Sequence, residues 1–204
     1  MTVFFSVSMS LDGFIAPSSP DELMGRQWRE LQAWVFPLRF FRENLKFGEG
    51  GEEGRDNDIA RATFERTGAS VMGRRMFDAG EHAWPEDAPF HTPVFVVTHE
   101  KRDPWERAGG TTFHFVNDGI ESALEQARAA AGPRDVRIAG GGETILRFLD
   151  AGLVDEFSIA LSPVLFGAGV RLFDGIDASR IALSAAGSES SPRVTHLTYT
   201  VRRR

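Results

Sequence analysis

The stretch Arg137–Leu149, "RIAGGGETILRFL", sets three glycines between a short apolar run and the first turn of a helix. "DVRIAG" reads as a strand and "ETILRFLDAG" as a helix. Lacking Cβ, Gly140, Gly141 and Gly142 let the backbone take positive φ and let a ligand approach the main chain. The helix that follows offers unpaired N–H groups and the positive end of its dipole, a combination that binds phosphate. Taken alone, a glycine cluster reads first as a tight strand-to-helix turn with no ligand.

"VMGRRMF", Val71–Phe77, has the same shape: apolar strand, Gly73, helix start. Its first turn carries Arg74 and Arg75, and cations there oppose the dipole at a cost of a few tenths of a kcal/mol each. Either the two arginines hold an anion, or they pair with acids such as Asp78 or Glu81; this feature alone weighs the two evenly. A third strand end, "VVTHEKR", carries Thr98, His99, Lys101 and Arg102. Three such ends point to one polyphosphate ligand across the carboxyl edge of a sheet.

Strand and helix alternate from residue 58 to residue 149, which predicts an α/β sheet, parallel there, with helices on its faces. A strand runs from Thr2 to Ser8. A helix begins near Asp58, with Asp58 or Asp56 as its N-cap and Gly68 closing it. Residues 17–57 are irregular: helical spacing broken at Pro37, then the polar, glycine-rich "GEGGEEGRDND". "VDEFSIALSPVLFG" reads as one long strand and "RVTHLTYTVR" as the last. No helix separates them, so an antiparallel hairpin is expected to end the sheet.

The 204 residues suit one domain, 1–204, with a loop insertion around 37–57. The net charge of −6 argues against duplex DNA and anionic membranes as partners. With no Cys there is no disulfide, thiolate nucleophile or Cys-ligated metal. The five His have no metal-ligand spacing, so no metal site is expected. No apolar run reaches a membrane span and the N-terminus lacks a basic leader, which reads as cytoplasmic. His114 and His196 lie in alternating strands and read as strand residues. Trp28, Trp34, Trp84 and Trp105 could line an aromatic ligand's pocket, although core or oligomer packing is preferred for at least two of them.

"SMSLDGFIA", "VMGRRMF", "VRIAGGGETILRFL" and "GLVDEFSIALSPVLFGAGVRLF" together resemble the dihydrofolate reductase-like superfamily. Within it the chain is most similar to the reductase (RibD C-terminal) domain of the bifunctional riboflavin-biosynthesis deaminase-reductase. The resemblance implies a three-layer α/β/α sandwich, its central sheet mostly parallel with an antiparallel C-terminal hairpin. It implies NADPH as cofactor and hydride transfer to a C=N or C=O of a planar heterocycle of the pterin, pyrimidine or flavin-precursor type. By that resemblance Gly73, Arg74 and Arg75 meet the cofactor phosphates, and Thr98 and His99 lie near the 2′-phosphate. Gly140, Gly141, Gly142, Glu143 and Thr144 wrap the pyrophosphate. Ser8, Ile15 and Ala16 border the nicotinamide, under a mobile loop of residues 16–28.

In dihydrofolate reductase a helical carboxylate holds the pterin. Asp58 falls within one residue of that place and Asp56 is its neighbour, although capping the helix explains either at least as well. Residues 37–55 exceed a minimal reductase, so neither the folate nor the riboflavin-precursor substrate is carried over. The deaminase signature H-x-E with P-C-x-x-C is absent, so the chain is not bifunctional. A homodimer is expected through the C-terminal strand and "SPVLFG". A non-catalytic nucleotide- or flavin-binding protein on the same fold is the alternative.

Overall fold

The structure is a computed structural model that describes residues 1–19, 22, 25–87 and 89–204. Eleven strands and six α-helices follow in the order β1 (Val3–Ser10), β2 (Phe14–Ala16), α1 (Arg26–Leu31), α2 (Arg39–Asn44), α3 (Arg55–Glu65), β3 (Thr67–Gly73), α4 (Arg74–Glu81), β4 (Pro93–Val97), β5 (Trp105–Glu106), β6 (Thr112–Val116), α5 (Ile120–Ala131), β7 (Asp135–Gly140), α6 (Gly142–Asp150), β8 (Glu156–Ser162), β9 (Val170–Arg171), β10 (Ile181–Ser190) and β11 (Thr195–Arg203). Nine of the strands form one sheet in the order β10-β11-β8-β1-β7-β3-β4-β6-β5, and β2 pairs with β9.

The six strands from β8 to β6 are mutually parallel. β5, β11 and β10 join antiparallel at the two ends. The expected C-terminal hairpin exists, but its partners are β10 and β11, with β11 then pairing with β8. The long strand expected to run on to Gly167 stops at Ser162, before Pro163. β10 escapes notice in the sequence because "IALSAAGSES" is rich in Ala, Gly and Ser. It is an edge strand with its surface exposed, so no apolar alternation marks it.

Period-2 alternation sends side chains to opposite faces of the sheet. On one face Val3, Phe5, Val71, Val136, Ile138, Phe157 and Ile159 pack against Ala123, Leu124 and Ala127 of α5 and Ile145, Phe148 and Leu149 of α6. On the other, Met72, Val94, Val96 and Phe113 pack against Phe77 of α4. Farther along that face Ala160 meets Trp34, Leu38 and Ala60, from the segment of α1 to α3. The result is three layers, helix, sheet and helix.

Two caps differ from expectation. Gly54, at φ +112°, is the N-cap of α3, and Asp56 and Asp58 lie in its first turn without capping it. There they still oppose the positive end of the dipole favourably. Gly68 does not close the helix, because Arg66 is the C-cap and Gly68 is already in β3. Its small size serves packing: a Cβ there would lie 2.5 Å from the carbonyl oxygen of Ala131, at the end of α5. Pro37 separates α1 from α2, as its missing N–H requires.

Asp12 fixes the loop that leads into β9. Its carboxylate accepts from Ser10 Oγ at 2.6 Å, from the Phe166 N–H at 3.1 Å and from the Gly167 N–H at 2.7 Å. The Ser10 hydroxyl, ahead of the two amides, holds its pKa down at about 2 against the usual 3.8. A depressed acid stabilises the fold above its unfolded pKa and loses that contribution as pH falls towards the folded value. Thermal midpoints of wild type and Asp12→Asn are therefore expected to differ most at neutral pH and to converge as pH drops from 3.8 to about 2. Parallel curves across that window would show that the carboxylate's charge is not what holds the loop.

Candidate active site

Strands β1, β3, β4 and β7 end together at one edge of the sheet, where two helices begin. A cavity of about 1090 Å³ opens there and extends inward between α3 and the sheet. Such a crevice at the carboxyl ends of parallel strands is where α/β sheets bind ligands.

The glycine turn forms part of its wall. The Gly140–Gly141 peptide is cis and Gly140 has φ +136°, a region that disfavours side chains. Gly141 is the N-cap of α6, with no side chain supplying a cap. The first N–H groups of a helix have no partner within it. An added Cβ at Gly141 would meet no atom within 4 Å, so the turn leaves open space where a side chain would stand. At Gly142 a Cβ would press on Ile15 and Val170, which close the wall opposite. α4 begins in the same way, from Gly73, again with no side-chain cap. A Cβ at Gly73 would lie 2.2 Å from Thr144 Oγ1, so the two helix starts abut.

The two arginines of the α4 turn differ. Arg74 is taken by acids, bonding both Asp78 and Glu100. Arg75 is exposed and has no acidic partner among the described residues; its one contact is the Ser18 carbonyl oxygen at 3.4 Å. Glu81 is occupied elsewhere, by Arg102 at 2.5 Å. Thr98 is buried and its Oγ1 accepts the Glu100 N–H, whereas His99 is exposed at the cavity rim. Glu143 bonds Arg147 one turn along α6 and does not compete for the helix start.

The cavity thus brings together Ser8, Ile15, Ala16, Asp58, Gly73, Arg74, Arg75, Thr98, His99, Gly140, Gly141, Gly142, Glu143 and Thr144. Asp56 lies apart. Its carboxylate meets His196 Nε2 at 2.9 Å, and His196, on β11, is itself buried with its ring edge against Trp34. Trp34 Nε1 donates to Ser8 Oγ at 3.0 Å, and Ser8 Oγ donates to Gln32 Oε1 at 3.1 Å. Of the four tryptophans, Trp28 and Trp34 line the cavity, and Trp84 and Trp105 pack around Phe77 and Phe113. In the 16–28 loop, residues 20, 21, 23 and 24 lie outside the described residues.

Of the floor beneath α3, the sequence reading supplies Ser8 alone. Ser6 and Ser8 on β1, Ser158 and Ala160 on β8 and Thr198 on β11 all line it. Register places Ser6 beside Ser158, Ser8 beside Ala160 and Thr198 beside Ser158. Central parallel strands are ordinarily apolar on both faces. From Phe5 onward, "FSVSMS" is apolar on one face only, and that alternation is the available signal that the other face lines a cavity.

The model of the RibD C-terminal domain family matches residues 1–197. The chain belongs to the RibD C-terminal domain family. The uncharacterized protein YyaP of Bacillus subtilis (strain 168) is 37% identical over 109 residues, 50% of this chain and 57% of that protein. The chain therefore matches little more than half the length of this curated relative. Among solved structures, the provisionally named riboflavin biosynthesis protein of Shewanella sp. PV-4 is 26% identical, with a TM-score of 0.69 and full coverage of both chains. A pyrimidine reductase-like protein of Corynebacterium diphtheriae is 13% identical with a TM-score of 0.60, covering all of this chain and 92% of that one. Enterococcus faecalis dihydrofolate reductase, complexed with NADP(H) and RAB-propyl, is 14% identical, has a TM-score of 0.52 and is covered to 96% by the whole of this chain. These likenesses make the fold dihydrofolate reductase-like. Among the described residues of this RibD C-terminal domain, no helix is long and apolar enough to cross a membrane.

Proposed function

We propose that this member of the RibD C-terminal domain family is an NADPH-dependent reductase of a planar heterocycle. The observation that carries the reading is the pair of helix starts without side-chain caps, α4 and α6, side by side on one large cavity, with Arg75 beside them and without an acidic partner among the described residues. Two sets of unpaired N–H groups and a cation suit a pyrophosphate with a further phosphate. The open space at Gly141 leaves the main chain accessible to it. NADPH supplies a hydride when bound.

The protein's own part is to position and to exclude water. In this reading Gly73, Arg75 and the α6 start hold the phosphates, with Thr98 and His99 towards the 2′-phosphate. Arg74 contributes only if it releases Asp78 or Glu100. Ser8, Ile15 and Ala16 border the nicotinamide. Asp58 lines the cavity from α3, whereas Glu156 and Glu189 there are paired with Arg66 and Arg55, and it is the group assigned to hold or protonate substrate. Asp56 is engaged with His196 and acts through it.

Titration with NADPH and NADH, followed by thermal stability and nicotinamide fluorescence, tests the cofactor. A ligand at a hundred times its dissociation constant stabilises a protein by about 2.7 kcal/mol. NADPH is expected to bind more tightly than NADH. Arg75→Ala is expected to weaken NADPH by about 1–1.5 kcal/mol, roughly five- to tenfold, because the cation is exposed. No stabilisation by either nucleotide would remove the reductase reading and leave a binding protein on the same fold.

A further inference from the structure

At the inner end of the cavity stands a cation with no acidic partner among the described residues. Arg137 lies on β7, on the face that α3 covers, in register with Phe4 on one side and Ser70 on the other. Its Nε is fully buried and has no hydrogen-bond partner among the described residues. Its guanidinium lies 5.0 Å from the centre of the Phe64 ring on α3 and lines the cavity. Burial pulls its pKa down to about 10, so it remains charged at neutral pH.

A guanidinium with a buried, unbonded Nε is costly, and such groups are ordinarily held by a carboxylate or by hydrogen bonds. The neighbouring cation shows the ordinary arrangement. Arg66 bonds Asp135 at 2.6 Å and Glu156 at 2.5 Å, and both acids are thereby consumed. Glu156 flanks Phe4 opposite Arg137, so it lies two strands away. Between Arg137 and the nicotinamide end, the floor is made of small and hydroxyl side chains, Ser6, Ala139, Ser158 and Ala160. The aromatic rings of Phe64 and Trp34 stand over it.

We infer that Arg137 is the substrate-anchoring residue of this cavity, and that it takes the carboxylate of a planar acid whose ring lies on the small-residue floor beneath α3. The guanidinium fork matches a carboxylate in charge and plane. A phosphate dianion fits less well, since one cation would leave it a net negative charge in a partly desolvated site. The inference deepens the reductase reading by giving the heterocycle an acid group, and it rests on that reading for the ring's being reduced.

Calorimetric titration with sodium benzoate, with benzamide as the neutral isostere and inorganic phosphate as the dianion, tests it on the intact protein. Benzoate is expected to bind saturably and at least roughly tenfold more tightly than benzamide. Arg137→Met is expected to abolish that preference and to leave NADPH binding unchanged. Arg137→Lys, which keeps the charge but not the fork, is expected to retain only part of the preference. Equal binding of benzoate and benzamide, or a preference that survives Arg137→Met, overturns the assignment. Phosphate binding more tightly than benzoate overturns the choice of a carboxylate. NADPH failing to bind while benzoate behaves as expected would sink the reductase reading and leave the Arg137 site standing; the reverse pattern sinks only the site.

Discussion

Phe77→Ala is expected to lower stability by about 3–5 kcal/mol, the usual cost of truncating a fully buried phenylalanine. Phe77 has no exposed surface and sits on α4 amid Trp84, Trp105, Phe113 and Phe115, with ring centroids 5.1–6.1 Å away. The guanidinium of Arg102 lies over the same ring at 5.2 Å and is held by Glu81 of α4. The cavity left would be walled by large rings that cannot collapse into it, which argues for the upper part of that range. In a chain of this length the loss corresponds to a fall in midpoint of roughly 10 °C. The consequence reaches function, because α4 has only eight residues and its first two are Arg74 and Arg75. Loosening the fully buried side chain that anchors the helix is expected to blur both cations. Phe77→Leu, which keeps most of the volume, is expected to lose less than half as much. Thermal unfolding measures both. A loss below about 1 kcal/mol for Phe77→Ala would mean that α4 is held from elsewhere.

The parallel half of the fold was legible because it rests on signals that do not depend on distant neighbours. "TPVFVV" and "DVRIAG" are short apolar runs between turn residues, and "DGIESALEQARAAAG" carries both helical spacing and a terminal glycine. The cavity edge was legible for the same reason, since Gly73 and the 140–142 turn each follow a readable strand. What could not be read depends on contacts far apart in sequence. β2 and β9 are too short to show a period and exist by pairing with each other across 154 residues. β10 has β11 as its one strand neighbour. Gly68 resembled a helix terminator because the glycine's constraint, the carbonyl of Ala131, is contributed by α5. Arg74 and Arg75 are indistinguishable in sequence, and only the fold brings Glu100 to the first and leaves the second without an acidic partner among the described residues. Likewise His196 read as a strand residue until β11 placed it on Asp56.

The two glycines at the mouths of α4 and α6 are expected to respond in opposite ways to the same substitution. Gly73→Ala would push a Cβ to 2.2 Å from Thr144 Oγ1. Thr144 is buried and β-branched, so its hydroxyl has few other rotamers to take, and the alternative is to separate the two helix starts. Overpacking of this kind costs about 1–3 kcal/mol. Removing the obstructing oxygen should restore most of it, so Gly73→Ala combined with Thr144→Ala is expected to be more stable than the sum of the single changes. Gly141→Ala meets nothing within 4 Å, and Gly141 has φ −74°, which alanine adopts freely. Its cost to the fold should stay within about 1 kcal/mol, the difference between glycine and alanine as an N-cap. Yet its methyl would stand in the space between the α6 start and any bound pyrophosphate, and NADPH affinity is expected to fall at least roughly tenfold. Stability and nucleotide titrations on the four variants, Thr144→Ala alone included, separate the two effects. A Gly141→Ala protein that folds and binds NADPH as wild type does would show that the open face of the turn holds no ligand. The glycine at 141 would then have to be explained by the turn alone.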